Sequence, residues 1–226
     1  MSVDPAPVRD RPSAAQSPED ELVVLRDGSQ VYVRPVHRQD APLLEEGFSH
    51  LSAESRRLRF LADKPRLSKA ELRYFTEVDH HDHEAIGARS AVEGRGLGIA
   101  RFIRDRDDPE VAEIAVAVVD DWQNRGLATE LLRRLFVRAR EEGVSHFTAL
   151  VAEENEGVAA LLRDAGAEIR VVAHEAGAVS YDITPHPEGR GGELQHLLRA
   201  FGRGELQAPH PIREALARIV PERLHS

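Results

Sequence analysis

The stretch from Glu113 to Phe136, EIAVAVVDDWQNRGLATELLRRLF, decides how the rest of the chain is read. Its first part, through Val119, is a short apolar run holding one acidic residue, the pattern of a buried strand. Its last part begins a series of Leu131, Leu132, Leu135, Phe136 and Ala139 at helical spacing, closed by Gly143. Between the two, Gln123, Asn124, Arg125, Gly126, Leu127 and Ala128 form a tight turn. At such a junction the first-turn amides of the helix lack intrahelical partners and the helix dipole favours negative charge, so a diphosphate can rest on the N-terminus. Gly126 and Ala128 keep bulk away from the backbone there, and Arg125 adds a charge-assisted bond. A Walker loop is excluded because no Gly-Lys-Ser/Thr follows. A Rossmann site is disfavoured because GxGxxG is missing and the preceding strands read as a meander.

Working outward, the run from Val111 to Val119 is preceded by two more strand-like segments, Glu84 to Val92 and Gly96 to Arg104, separated by Gly94 and by RDRDDP. Ahead of them stands an alternating segment with Val31, Val33 and Pro35, followed by three helix starts. Asp40 precedes Leu43, Leu44 and Phe48; Ser52 precedes Leu58 and Leu61; Ser68 makes a capping box with Glu71 ahead of Leu72 and Phe75. Downstream come a strand from Phe147 to Val151, a helix from about Asn155 to Asp164, and strands from Glu168 to Ala173 and Val179 to Ile183. The expected architecture is an α/β (α+β) domain: a mixed, mostly antiparallel sheet flanked by helices, over residues 22–184. Residues 1–21, with Pro5, Pro7, Pro12 and Pro18, read as a loose tail, and residues 185–226 as a helical extension. In that extension Leu194, Leu197, Leu198 and Phe201, then Ile212, Leu216, Ile219 and Val220, make apolar stripes that cover the domain itself or support an oligomer.

The 226 residues suffice for one domain with tails. A net charge of -9 argues against a nucleic-acid or anionic-membrane surface and in favour of a partner with exposed amines. Without cysteine there is no disulfide framework, thiol nucleophile or thiolate metal site. No apolar leader and no apolar run of membrane-spanning length is present, so the expected location is the cytoplasm.

The order of elements and the pattern Gln123, Gly126 and Ala128 resemble the GNAT N-acetyltransferases over roughly residues 28 to 184. That resemblance implies acetyl-CoA as acyl donor, its diphosphate held by the amides of Gln123 to Thr129 and its pantetheine arm paired with the strand at Val116 to Val118. It also implies that Asn155 borders the cofactor. The segments SAESRRLRF, residues 52–60, and TEVDHHDHEA, residues 76–85, are similar to bacterial protein lysine acetyltransferases that modify acyl-CoA synthetases. An acyl-CoA synthetase lysine is thereby implied as acceptor, and a glutamate at the position of Glu113 as general base. Several members of that group carry an additional domain for which this chain leaves no room, so their regulation is not carried over.

A base is required because roughly 1 in 2,500 lysine side chains is neutral at pH 7. Glu113 shares its strand face with small Ala115 and Ala117, and apolar surroundings are expected to raise its pKa toward a useful range. A backbone N-H near Val118 is the expected oxyanion donor. Many GNAT enzymes place a tyrosine acid seven residues after the asparagine; here that position is Leu162, so solvent must protonate a thiolate with a pKa of about 8.5. The acidic and imidazole groups from Asp79 to Glu84 are expected beside the acceptor rather than around a metal, and no metal is expected elsewhere. Arg56, Arg57 and Arg59 either form a solvated helix face or steer an acidic patch of the acceptor. Trp122 is expected to anchor the loop. Rival readings are acetylation of a small amine, and an acyl-CoA sensor without catalysis.

Overall fold

The computed structural model describes residues 17–175 and 177–186. Eight strands form one sheet: β1 (Glu21–Val24), β2 (Gln30–Pro35), β3 (His83–Ser90), β4 (Gly96–Arg104), β5 (Val111–Val118), β6 (His146–Ala152), β7 (Ala167–Glu175) and β8 (Ala178–Pro185). Their order is β1-β2-β3-β4-β5-β6-β8-β7. Every neighbouring pair is antiparallel except β5 with β6. The helices are α1 (Ala41–Ser49), α2 (Ala53–Phe60), α3 (Lys69–Thr76), α4 (Leu127–Glu141) and α5 (Gly157–Asp164).

Local chemistry sets these boundaries. The Ser52 hydroxyl caps α2 by accepting from the Ser55 amide, and Ser68 with Glu71 closes the expected capping box on α3. Asp40 does stand before α1, but its carboxylate takes the Arg34 guanidinium and the His37 amide instead of capping the helix.

The two sheet faces are covered differently. On one, α4 buries Leu131, Leu132, Leu135 and Ala139 completely against Phe102, Ala112 and Phe147. On the other, Phe48 and Leu51, with Leu67 and Leu72 from around α3, make a smaller cluster. The roof over this second face sits close to the sheet, because a side chain at Gly96 would place its Cβ 2.6 Å from the Leu43 carbonyl oxygen.

One strand was not read from the sequence. β1 begins at Glu21, inside the segment read as a tail, and residues 17–20 lead into it as ordered chain. The reason is electrostatic: the buried Asp20 carboxylate accepts from Arg89 at 2.6 Å and faces Arg34 at 3.3 Å. These partners lie more than a dozen residues downstream in the chain, where local composition gives no sign of them. The two apolar stripes beyond residue 190 lie outside the described residues.

Replacing Asp20 with Ala leaves the buried Arg89 without its carboxylate, and loss of one partner from a buried pair typically costs about 3 kcal/mol or more. Urea unfolding of the variant is expected to show a lower midpoint and an unfolding free energy reduced by that amount, with Asp20→Asn less affected.

Candidate active site

The parallel pairing of β5 with β6 lasts for three residues, Val111 to Glu113 against His146 to Thr148. β6 then stays with β8 as far as Ala152, while β5 turns away toward α4. A cleft of about 590 Å³ opens between them, lined by β5, β6 and the first turns of α4 and α5. The Val119 amide donates to Leu97 of β4. Backbone groups alternate along a strand, so those of Val116 and Val118 face the opposite edge, which is the cleft. Among the described residues this edge pairs with no strand, its Val118 carbonyl meeting only the Gln123 side chain, and an edge of this kind accepts another extended chain by backbone hydrogen bonding.

The turn into α4 depends on two residues with left-handed backbone, Asn124 at φ 60° and Gly126 at φ 88°. They place the amides of Leu127, Ala128 and Thr129 at the N-terminus of a 15-residue helix that borders the cleft. A Cβ at Gly126 would meet the Arg26 side chain only at ordinary contact distance, 3.4 Å. Its backbone conformation, rather than lack of room, is therefore what calls for glycine.

Two residues of the turn use their side chains to brace it, and one of them, Gln123, also lines the cleft. The Arg125 guanidinium donates to Asp27, Ser29 and the Asp121 carbonyl and stacks over Trp122. It braces the loop and is not among the cleft-lining side chains. Gln123 likewise donates to the Val118 carbonyl and to Asp120 and Ser55. The cation beside the turn is instead Arg26, from the β1–β2 connection, which lines the cleft and approaches Asp164 at 3.8 Å. Sequence reasoning missed it because nothing local ties that hairpin to residue 126. Asn155 and Leu162 both line the cleft, Leu162 where the tyrosine of other members was considered, and no tyrosine lines the cleft among the described residues.

Helix α2 spans the opening. The Ser52 amide donates to Asp120 on the β5 side, and Arg57 forms an ion pair with Glu154 on the β6 side. Arg56 is committed to the Ser49 and Pro65 carbonyls and stacks on Phe48. Of the three arginines considered from sequence, Arg59 is the one lining the cleft.

Glu113 is the last residue of β5 in register with β6, and its side chain lines the cleft. It is exposed, which corrects the expected apolar enclosure: Ala115 and Ala117 leave the room that was anticipated, but cleft volume rather than protein fills it. The pairings put His83, Ile103, Glu113 and Thr148 in one row across a single sheet face. Arg101 lies on that same face, opposite Ala115. Under α1 a second, mostly apolar cavity of about 110 Å³ adjoins the cleft, with Arg59 and Ala117 in the walls of both.

The side chains of Asp79, His80, His81 and Glu84 are structural. Asp79 accepts the amides of His81, Asp82 and His83; His81 bonds Glu142; and the fully buried Glu84 holds His80 and Arg138. Together these contacts fasten the end of α4 to the start of β3. Neither Asp79 nor His81 lines either cavity, which corrects their expected place beside the acceptor.

The cleft thus combines a strand edge freed by splaying, helix amides beside it and a carboxylate at the fork. The family profile "Acetyltransferase (GNAT) family" matches residues 48–167, more than half of the chain, and the protein belongs to that family. It is 32% identical over 169 residues to acetyltransferase Pat of Mycolicibacterium smegmatis, an alignment covering 72% of this chain and 50% of that one. An acetyltransferase of Pseudomonas aeruginosa is 29% identical over 59% of this chain and 73% of its own. Among solved structures, the GNAT domain of S. lividans PAT superposes with a TM-score of 0.67 at 31% identity, covering 74% of this chain and 98% of that domain. The chain thus spans about half the length of the mycobacterial relative.

Gly126→Ala is expected to cost roughly 1–2 kcal/mol, the penalty of left-handed backbone for a residue with Cβ, and to weaken CoA binding measured by calorimetry. His83 is partly buried beside Tyr74, and burial followed by the Arg101 charge pushes its pKa from 6.5 down to about 4. The unfolded chain therefore takes up this proton near pH 6.5 and the folded chain only near 4. Stability contributed by the neutral ring is complete above 6.5 and declines as pH falls toward 4, by at most about 1.4 kcal/mol per pH unit. Urea midpoints are expected to fall across that window in the wild type and to fall less in His83→Gln.

Proposed function

We propose that this protein transfers the acetyl group of acetyl-CoA to the amine of a protein lysine, with Glu113 as general base and an acyl-CoA synthetase as the acceptor class. The observation that carries the reading is the position of Glu113: it stands at the fork where β5 leaves β6, on the sheet face that reaches the second cavity. Bound acetyl-CoA supplies the activated acyl group. The edge of β5 at Val116 and Val118 fits an extended pantetheine arm, and the α4 amides from Leu127 to Thr129, with Arg26, fit a diphosphate. Gln123 and Arg125 brace the turn that presents these donors.

The carboxylate of Glu113 takes the ammonium proton, directly or through one water that its exposed position admits. The freed amine attacks the thioester carbonyl, and the Val118 amide at the cleft edge stabilises the oxygen that gains charge. The nitrogen of the adduct gives up its second proton to solvent as the C–S bond breaks, and the CoA thiolate leaves to be protonated by solvent, no tyrosine lining the cleft among the described residues. The likeness of residues 52–60 and 76–85 to lysine acetyltransferases supports the protein acceptor, and a cytoplasmic location accords with such a partner.

The test is CoA release from acetyl-CoA with a purified acyl-CoA synthetase, compared with a panel of small amines. Synthetase-dependent release is expected. Glu113→Gln should lower kcat at least tenfold while calorimetry gives an unchanged Kd for CoA. Undiminished turnover in that variant removes Glu113 from the mechanism, and release with small amines alone moves the substrate class.

A further inference from the structure

Two guanidinium groups stand on the acceptor side of the site with less negative charge around them than positive. Arg101 of β4 lies over the rings of Tyr74 and Phe75, at 5.3 and 4.3 Å from their centroids. Its Nη1 is buried without a hydrogen-bond partner. Arg59 of α2 lies over Phe60 and lines both the cleft and the adjoining cavity. Burial, then the charge of Arg101, lowers the pKa of Arg59 to about 10, opposed by Glu113; burial likewise lowers that of Arg101. No carboxylate forms an ion pair with either arginine among the described residues. Of the other half-buried or buried arginines, Arg34 pairs with Asp40, Arg89 with Asp20 and Arg138 with Glu84, while Arg56 is held by the Ser49 and Pro65 carbonyls.

Taking a guanidinium out of water without a partner is costly, and buried polar groups left unsatisfied call for an explanation. Stacking on aromatic faces holds the two planes in place and leaves their N-H edges to other acceptors. Glu113 offsets part of the charge, but it is exposed in the cleft and must remain available for a proton. One further anion restores the balance, and a planar carboxylate matches the guanidinium fork best. Because the arginines sit on the Glu113 face, beyond the β5 edge and away from the α4 amides, the carboxylate that reaches them arrives with the acceptor and not with the CoA moiety.

We propose that Arg59 and Arg101 form a carboxylate-binding pair that selects acceptors carrying an acidic group close to the amine being acetylated. In a protein acceptor this is an aspartate or glutamate next to the target lysine; in a small acceptor it is the carboxylate of an amino acid. The pair has a second effect on the same amine. Two positive charges disfavour the ammonium form, so the carboxylate anchors the acceptor while the field assists its deprotonation.

The proposal rests on the reading that the cleft serves amine acetylation, and the test separates the two. Matched acceptors are compared with acetyl-CoA: lysine peptides differing only by Asp or Asn beside the lysine, and a free amino acid against its amide. Wild type is expected to favour the carboxylate member of the pair it uses at least tenfold in kcat/KM. In Arg101→Gln, and independently in Arg59→Gln, that ratio should fall to within about twofold of unity. Which pair is turned over identifies the source of the carboxylate. A wild-type ratio near unity overturns the proposal, as does a ratio that survives both substitutions or variants that slow both members equally. Should no acceptor be turned over, the acetyltransfer reading fails. The carboxylate pair is then decided by calorimetry of CoA-loaded protein with the acetyl-lysine forms of the Asp and Asn peptides. Tighter binding of the Asp peptide that is lost in Arg101→Gln upholds it, and equal binding of the two peptides overturns it.

Discussion

The separation of β5 from β6 after Glu113 is the constraint on which the rest of the site depends. Two parallel strands that stayed together would satisfy each other's backbone groups and leave no edge for a ligand. Here β6 follows β8, with which it pairs over Phe147 to Ala152, and β5 is drawn to the α4 turn. The energetic deficit of an unpaired strand edge is thus confined to a cleft, where water or an extended ligand can meet it. The fork also fixes the one acidic side chain of β5 in that cleft, so the unpaired edge and the carboxylate are set by the same geometric event.

Holding a splayed sheet open requires ties across the gap. Helix α2 provides them, bonded to Asp120 on one lip and to Glu154 on the other. Behind it, Gln123 and Arg125 stiffen the turn that presents the α4 amides, and the buried Asp20–Arg34–Asp40–Arg89 group fastens β1 and the start of α1 to the sheet. Most buried charge in the fold is matched in this way. Against that background Arg59 and Arg101, beside Glu113, stand out as groups without a carboxylate ion pair among the described residues.

Where sequence reasoning went astray, the cause was distance along the chain. Arg125 reads as a phosphate ligand because it lies in the loop; it faces Asp27 and Ser29 instead, nearly a hundred residues earlier. Asp79 and His81 read as acceptor contacts because they are polar and clustered, yet they serve a turn and the end of α4. Arg26 and Arg101 went unread because each is an ordinary basic residue until the sheet brings Gly126 or Glu113 beside it.

The sequence by itself determined the element order from β2 onward, the strand-turn-helix unit at Glu113 to Phe136, the caps at Ser52 and Ser68, and the candidacy of Glu113 and Asn155. The elements and caps follow from periodicity and short-range hydrogen bonding, which act over a few residues and leave their pattern in the chain, whereas Asn155 comes only from the family resemblance. Only the tertiary structure decided that β1 joins the sheet, that Glu113 is open to the cleft, which arginines reach the site and which are spent on bracing. Those outcomes depend on charge pairs and strand partners from distant segments, and the free energy that selects among them exists only after the sheet has assembled.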